Sequence, residues 1–206
     1  MIYKNNKLYF DGFNVDFLTR KFPTPIYCYS LKKINENISN LKDHFRKINP
    51  LICFAVKANP NISILKEIKK SNLGADVVSI GELMKVIKAG INPQKIVFSG
   101  VGKTSAEIEY AINKKILLIN AESKSEILEI ERIAREKKKI IDIGIRLNPN
   151  TDAKTLSQIS TGKKENKFGV DPKIFLKLVK YLKNSKNLNL KCLSVHIGSQ
   201  ILNHQP

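Results

Sequence analysis

The sequence has few cysteines and no long apolar run, and both absences narrow what the protein can be. Cys28, Cys53 and Cys192 stand singly among the 206 residues, with no CxxC pair and no cluster of Cys and His. This spacing argues against a disulfide framework and a zinc site, and three unpaired thiols favour a reducing compartment. No apolar stretch reaches the roughly 18 residues of a membrane span, and the N-terminus lacks the pattern of a secretory signal. We therefore expect a cytoplasmic protein with no membrane partner.

Acidic residues are scarce relative to basic ones. The chain has 18 Asp and Glu against 36 Lys and Arg, a formal net charge of +18. Such a charge can indicate nucleic-acid binding. Here, however, the basic residues are spread over every predicted helix, alternate with apolar residues and are not interleaved with aromatic ones. They are typical of solvated helix faces. We expect no nucleic-acid partner, although a positive field would attract anionic small molecules such as phosphate esters.

The first 29 residues differ in pattern from the rest of the chain. The stretch KLYFDGFNV has alternating apolar residues around Asp11-Gly12, which predicts a hairpin with a type I′ turn. The following PTPIYCYS predicts an extended connector. We expect residues 1–29 to form a segment of their own, a hairpin followed by an extended connector. Ser30 is then the predicted cap of the first helix of a domain formed by residues 30–206.

From residue 51 onward, short apolar runs alternate with segments of helical period. The runs cover 51–56, 75–79, 95–100, 116–122, 140–148 and 192–198. The predicted helix caps are Ser79, Thr104, Ser123 and Asp171. Gly74 and Gly90 are predicted to end helices. This alternation predicts an α/β fold with a parallel sheet buried on both faces, either a closed barrel or an open doubly wound sheet. Only six strands are visible, whereas a closed β/α barrel has eight, so a barrel here would be incomplete.

Lys57 is the first candidate for chemistry. It directly follows an apolar strand, in FAVKANPN, and precedes the turn signal Asn59-Pro60. Active sites of α/β proteins lie at the C-terminal ends of parallel strands, and an amine there can attack a carbonyl carbon. The alternative is a lysine that simply leaves the sheet into water. We therefore treat Lys57 as the candidate covalent anchor of a carbonyl cofactor.

His196 and Ser199 follow the sixth apolar run. An imidazole at a strand end can stack on an aromatic cofactor, and the turn formed by Gly198 and Ser199 can offer N–H groups and a hydroxyl to a phosphate. The alternative for His196 is a histidine whose hydrogen bonds are satisfied within the core.

Arg146, Asp76 and Glu82 are the remaining polar candidates. Arg146 lies in an apolar run and is costly to bury unless it meets an anion, either a cofactor group or Asp76 or Asp142. Asp76 begins a strand and has no local capping role. Glu82 has a strong alternative, since Ser79-x-x-Glu82 is a capping box.

The stretch FSGVGKTS is similar to a phosphate-binding P-loop. The motif requires a glycine where this sequence has Val97. A nucleotide site is therefore only weakly indicated.

Taken together, these residues resemble those of diaminopimelate decarboxylases, which are pyridoxal-phosphate enzymes. The matching segments occur in the family's order over nearly the whole chain: FAVKANPN, GADVVSIGEL, KIVFSGVGKT, IRLNPNTDAKT, ISTGKKENKFGV and SVHIGSQ. One departure is Ile80-Gly81, where the family has two glycines.

The resemblance implies roles for individual residues. Lys57 matches the lysine that carries pyridoxal 5′-phosphate as an internal aldimine. His196 matches the residue that stacks on the cofactor ring, and Ser199 matches the one near its phosphate. Three further residues match polar positions around the cofactor: Asp76, Glu82 and Arg146.

The resemblance also implies a fold and an activity. The fold is a pyridoxal-phosphate-binding (β/α)8 barrel of alanine-racemase type, here incomplete, with a second β domain to which residues 1–29 would contribute a hairpin or extended segment. The activity is decarboxylation of meso-2,6-diaminopimelate to L-lysine by a homodimer. Because essential parts of the family come from a C-terminal half, this chain is expected to be a fragment that is inactive alone. One alternative is a related ornithine or arginine decarboxylase, which ISTGKKENKFG argues against. A non-catalytic pyridoxal-phosphate carrier is another, and the segment 1–29 argues against it.

Overall fold

The computed structural model of the chain describes residues 1–152, 161 and 168–202. The chain divides into two units, Met1–Pro50 and Leu51–Pro206. The observed division follows Pro50, whereas the sequence placed a domain boundary after residue 29. Most of the motif ISTGKKENKFGV lies outside the described residues.

The first unit contains a small antiparallel sheet and two helices. The strands are β1 (Ile2–Lys4), β2 (Lys7–Phe10) and β3 (Phe13–Asn14), in the order β1-β2-β3, and the helices are α1 (Val15–Lys21) and α2 (Leu31–Phe45). Asp11 and Gly12 have φ of 53° and 86°, which confirms the predicted turn with two positive φ values between paired strands. A second such turn, at Asn5 and Asn6 with φ of 49° and 57°, was not predicted.

The helix α1 was also not predicted, because seven residues are too few to show a clear helical period. It begins where the side chain of Asn14 accepts a hydrogen bond from the N–H of Asp16 at 2.7 Å. The predicted cap of α2 is confirmed, since Ser30 Oγ accepts from the N–H of Lys33 at 3.0 Å.

The second unit is built on six parallel strands. They are β4 (Cys53–Ala55), β5 (Gly74–Val77), β6 (Ile96–Phe98), β7 (Leu118–Ala121), β8 (Ile141–Leu147) and β9 (Leu188–Val195). Each strand pairs with the next along the chain, in the order β4 to β9. A doubly wound sheet reverses its strand order at a switch point, whereas a β/α barrel does not. The observed order therefore decides for the barrel type, with β4 and β9 as the edges of the sheet in the described chain.

In the described part of the chain, five helices accompany these strands: α3 (Ile62–Lys70), α4 (Ile80–Lys88), α5 (Ser105–Lys114), α6 (Lys124–Glu136) and α7 (Pro172–Leu182). The four predicted caps are confirmed, because each of their side chains accepts a hydrogen bond from an N–H in the first turn: Ser79, Thr104, Ser123 and Asp171. Gly90 follows α4 with a φ of 84°, as predicted for a helix end.

The prediction for Gly74 was wrong. It is the first residue of β5, and α3 instead ends before Asn72, which has a φ of 60°. A Cβ at position 74 would lie 2.2 Å from the carbonyl oxygen of Lys95 and 2.7 Å from Cys53 Sγ. Glycine is present because β4 and the segment before β6 leave no room for a side chain.

The last strand begins earlier than predicted. β9 starts at Leu188 rather than at residue 192, and apolar and polar residues alternate over its first four positions. One of them, Asn189, donates from Nδ2 to Asp142 Oδ1 at 2.8 Å. This contact, rather than one with Arg146, occupies the carboxylate of Asp142.

The two faces of the six-stranded sheet differ in polarity. One face consists of fully buried apolar residues that pack beneath the helices: Val77, Phe98, Ile119, Ile143 and Ile145. Because side chains alternate along a strand, the residues between them share the other face. That face carries polar residues: Asp76, Asn120 and Arg146. The sheet that was predicted to be buried on both faces therefore has an apolar outer face and an inner face that carries polar residues.

No helix in the described part of the chain is long and apolar enough to cross a membrane. Within the same residues, no group of three or more His, Cys, Asp and Glu could hold a metal ion.

Candidate cofactor cleft

A cleft of about 580 Å³ lies at the C-terminal ends of the six strands. Residues two positions apart along the chain line its walls, such as Asn120 with Glu122 and Ser194 with His196, because alternate side chains of a strand point to the same face. A smaller cleft of about 340 Å³ lies at the opposite ends of β7 and β8. Active sites of β/α barrels lie at the C-terminal ends of the strands. The larger cleft is therefore the candidate site.

Lys57 reaches this cleft from a turn of 3₁₀ helix, Val56–Ala58, that directly follows β4. Val56 is fully buried and anchors the turn, while Lys57 itself is exposed. Within the described part of the chain, the ammonium group of Lys57 forms no hydrogen bond and no ion pair. The amine is therefore accessible to a ligand in the cleft.

Asp76, Ser99 and Asn120 form a chain of hydrogen bonds across neighbouring strands. Ser99 Oγ donates to Asp76 Oδ1 at 2.6 Å, and Asn120 Nδ2 donates to Ser99 Oγ at 3.1 Å. Asn120 Oδ1 is buried and has no hydrogen-bond partner in the described chain. A Cβ on Gly144 would lie 2.0 Å from this oxygen, which explains the glycine there.

Burial shifts the pKa of two groups in this part of the cleft, the carboxyl of Asp76 and the thiol of Cys53. Burial raises the pKa of Asp76, and the hydrogen bond from Ser99 and then the charge of Lys57 oppose this effect. Burial, with the nearby charge of Asp76, also raises the pKa of Cys53 to about 11. Cys53 is consequently a thiol rather than a thiolate at neutral pH.

Arg146 and Glu122 form an ion pair in the wall of the cleft. Arg146 Nη1 lies 3.1 Å from both carboxylate oxygens of Glu122. The guanidinium also lies over the ring of Phe168, 4.8 Å from its centroid. The carboxylate that Arg146 meets in the structure is therefore Glu122, and not Asp76 or Asp142, the two partners considered from the sequence.

His196 lies in the same cleft as Lys57 and contacts Thr161. Thr161 Oγ1 lies 2.7 Å from His196 Nδ1 and donates to the His196 carbonyl oxygen at 2.8 Å. Since the hydroxyl has one proton and donates it to the carbonyl, a neutral ring carries its own proton on Nδ1. Burial lowers the pKa of His196, and the charges of Arg146 and Lys57 lower it further. The ring is therefore neutral at pH 7.

Two predicted site residues do not line the cleft. Glu82 serves the start of α4: its carboxylate accepts from the N–H of Val78 at 2.9 Å, and its own N–H donates to Ser79 Oγ at 3.3 Å. Ser199 is exposed in the segment after β9. Their roles toward a cofactor stay predictions.

Among the cleft residues that sequence analysis missed are Ser99, Asn120, Glu122 and Phe168. The first three had a signal, because each is a polar residue in or directly after an apolar strand, and Asn120 and Glu122 are separated by the strand period of two. Phe168 had no such signal, because it lies outside the strands and meets Arg146 only through the tertiary fold.

The structure explains the segment that is similar to a P-loop. The side chain of Lys103 is 1% exposed. Its Nζ contacts the carbonyl oxygens of Gly100 and Asn120 at 2.6 and 2.8 Å and Glu126 Oε1 at 2.6 Å. The ammonium is saturated by the protein, so Lys103 holds a loop together and is not available to a phosphate.

The fold and the cleft define a domain of the β/α-barrel type with an accessible lysine at the end of its first strand. The sequence matches the model of a protein family described as pyridoxal-dependent decarboxylase, pyridoxal binding domain, over residues 31–206. The chain belongs to this family.

Curated relatives make the comparison more specific. Diaminopimelate decarboxylases of Helicobacter pylori (strain J99) and Campylobacter jejuni are 47% and 46% identical to the chain over 94% and 92% of its length. The chain covers 48% and 47% of those two proteins. It therefore spans about half the length of the curated relatives it matches.

Solved structures agree with the sequence comparison. The crystal structure of diaminopimelate decarboxylase from Helicobacter pylori complexed with L-lysine matches with a TM-score of 0.92 and 47% identity, over 94% of this chain and 49% of that one. The diaminopimelate decarboxylase of M. jannaschi matches with a TM-score of 0.90 and 35% identity, over 97% of this chain and 48% of that one. These matches confirm the barrel-type fold.

Proposed function

We propose that the protein carrying this chain decarboxylates meso-2,6-diaminopimelate to L-lysine with pyridoxal 5′-phosphate held by Lys57. The observation that carries the proposal is that the amine of Lys57, which has no partner among the described residues, and the ring of His196 line one cleft at the strand ends. The names of the relatives support the substrate. Arginine and lysine decarboxylase structures share only 23% identity with the chain and resemble it in fold alone.

The residues of the cleft fit the cofactor. Its volume of about 580 Å³ lies within the range of roughly 300–1,000 Å³ of small-molecule pockets. Lys57 offers an amine to an aldehyde, and His196 offers a flat, neutral ring. Asn120 Oδ1 is a buried acceptor without a partner in the described chain, so the polar floor of the cleft is not saturated by the protein.

The protein's own residues would bind and orient the reactants. Lys57 would hold the cofactor, His196 would lie against its ring, and Asp76 and Arg146 would offer polar contacts on either side. When bound, the cofactor supplies the electron sink for the electron pair that remains when the carboxylate leaves as CO₂. The field of a chain with net charge +18 favours the approach of an anionic phosphate ester.

Four further features belong to this proposal. Ser199 would lie near the cofactor phosphate, and Glu82 would be one of the polar residues around the cofactor. The active form would be a homodimer, as the family resemblance implies. The compartment would be the cytoplasm, supported by the three cysteines, all of which are free thiols.

Replacement of Lys57 tests the proposal. The chain as it occurs, with any residues that precede or follow these 206, is mixed with pyridoxal phosphate and reduced with sodium borohydride. Peptide mass spectrometry should find the cofactor fixed to Lys57 as a secondary amine. Lys57→Ala should abolish both this adduct and the formation of L-lysine, because Lys57 is the one lysine among the described residues that line the cleft.

The exposed Lys66 on α3 provides the matched control, since Lys66→Ala removes a lysine of the same unit away from the cleft. It should keep the adduct and the activity. An adduct on another lysine would contradict the role of Lys57. An adduct on Lys57 without decarboxylation of meso-diaminopimelate would indicate a non-catalytic carrier or another substrate.

A further inference from the structure

Glu122 is a buried carboxylate at the end of β7 that none of the sequence motifs identified. Its side chain is 2% exposed, yet it lines the cleft. Both oxygens accept from Arg146 Nη1 at 3.1 Å. Oε1 also accepts from the N–H of Gly100 at 3.0 Å, and Oε2 accepts from the N–H of Gly169 at 3.2 Å. A buried carboxylate is stable only when its oxygens are satisfied in this way.

These donors come from three different elements. Gly100 lies in the loop after β6, Arg146 belongs to β8, and Gly169 lies in the segment before α7. Both glycines have positive φ, 96° and 74°. A Cβ at Gly169 would lie 2.9 Å from the carbonyl oxygen of Arg146. The backbone at both positions thus requires glycine in order to turn its N–H toward Glu122.

The carboxylate also fixes the direction of Arg146. One guanidinium nitrogen is held by Glu122, Nη2 lies 3.4 Å from the carbonyl oxygen of His196, and the ring of Phe168 covers one face. The side chain of Arg146 is only 12% exposed. Without Glu122, its guanidinium would lack a counter-charge and would turn toward another acceptor. The wall between Arg146 and His196 would then change shape.

We propose that Glu122 is the positioning residue of this cleft, acting through Arg146 and two glycine N–H groups to fix the wall against which the cofactor binds. This inference rests on the proposed function for the identity of the ligand. Glu122 itself contacts no reacting atom, and its effect is transmitted by Arg146.

The experiment replaces the carboxylate without changing its size. Glu122→Gln in the chain as it occurs should weaken pyridoxal-phosphate binding about tenfold or more, because a charge-assisted pair is lost. Glu122→Asp keeps the charge and should recover part of the affinity. The matched control is Glu129→Gln, which removes another arginine-paired carboxylate, at the surface of α6, and should leave binding unchanged.

A second readout needs no cofactor. In cofactor-free protein, Glu122→Gln leaves the charge of Arg146 uncompensated beside His196, so the pKa of that ring should fall further below its ordinary value. NMR titration of the imidazole measures this change. If the role of Glu122 were purely structural, Glu122→Gln would alter thermal unfolding but would leave the His196 titration unchanged. A shift of the His196 pKa that Glu122→Asp reverses would therefore support the positioning role.

A double-mutant cycle decides whether Glu122 acts through Arg146. If it does, the losses of affinity in Glu122→Gln and Arg146→Met should not add in the double variant. Additive losses, or an unchanged His196 titration, would overturn the inference. Failure of the wild-type protein to bind pyridoxal phosphate would instead refute the proposed function and leave the titration result to stand separately.

Discussion

Asp76 illustrates how a single residue is controlled by its surroundings at the floor of the cleft. Its carboxylate accepts a hydrogen bond from Ser99, which is itself held by Asn120. Burial raises its pKa, so the neutral form is favoured in the folded protein relative to the unfolded chain. Sequence analysis selected Asp76 from its place on a strand. It could not foresee Ser99 and Asn120 as its partners, because both come from other strands.

The raised pKa of Asp76 predicts a pH-dependent cost in stability. A carboxyl whose folded-state pKa is raised favours folding most at pH values below its unfolded pKa, and this contribution is lost as pH rises through the raised value. Asp76→Asn keeps the acceptor for Ser99 but cannot ionise. The melting temperature of Asp76→Asn relative to that of the wild type should therefore rise by a few degrees when the pH is raised from 4 to 7, as measured by calorimetry.

Ser99→Ala gives the opposite test at the same site. It removes the hydrogen bond that lowers the pKa of Asp76, so the loss of stability with rising pH should be larger in this variant than in the wild type and should extend to a higher pH. If the melting temperatures of the wild type and Asp76→Asn differed by a constant amount between pH 4 and pH 7, Asp76 would have no raised pKa.

At the scale of elements, glycine has different causes at different positions. Gly74 begins β5 where a Cβ would meet a backbone carbonyl at 2.2 Å, whereas Gly81 lies in α4 with its nearest neighbour, Ser79 Oγ, at 3.9 Å. The helix caps and Gly90 were predicted correctly because their signals are local. Gly74 was misassigned because its constraint comes from Lys95, twenty-one positions away.

This difference predicts opposite effects of the same substitution. Gly74→Ala should destabilise the protein by about 1–3 kcal/mol, because the backbone of a neighbouring element must move. Gly81→Ala has room for its methyl group and should stabilise the protein by about 0.5 kcal/mol, because alanine favours the helix. Urea unfolding of both variants measures the two free energies. Equal effects would show that the crowding at Gly74 is relieved without cost.

At the scale of the whole molecule, the six-stranded sheet has an open edge at β4 and another at β9 in the described chain. Unpaired parallel edges expose backbone donors and acceptors. The inner face carries the polar residues of the cleft, which in a closed barrel would be enclosed by further strands.

We therefore predict that the 206 residues expressed alone do not decarboxylate meso-diaminopimelate and are poorly soluble. The physical reason is that the cleft is open to water on the side of both edges, and the edges favour association between copies. Lysine formation and light scattering on the purified chain measure the two outcomes. Turnover by a monodisperse preparation of these residues, without a complementing fragment, would disprove the prediction.

The sequence alone determined the features that depend on near neighbours along the chain. These are the alternation of strands and helices, the caps at Ser79, Thr104, Ser123 and Asp171, and the position of Lys57 after a strand. Tertiary structure decided the strand order, the partner of Arg146, and the hydrogen bonds of Asp76 and Asn120. Periodicity and capping act within a few residues and are therefore visible in the sequence, whereas the pairing of Glu122 with Arg146 depends on the register of adjacent strands, which only packing of the complete sheet sets.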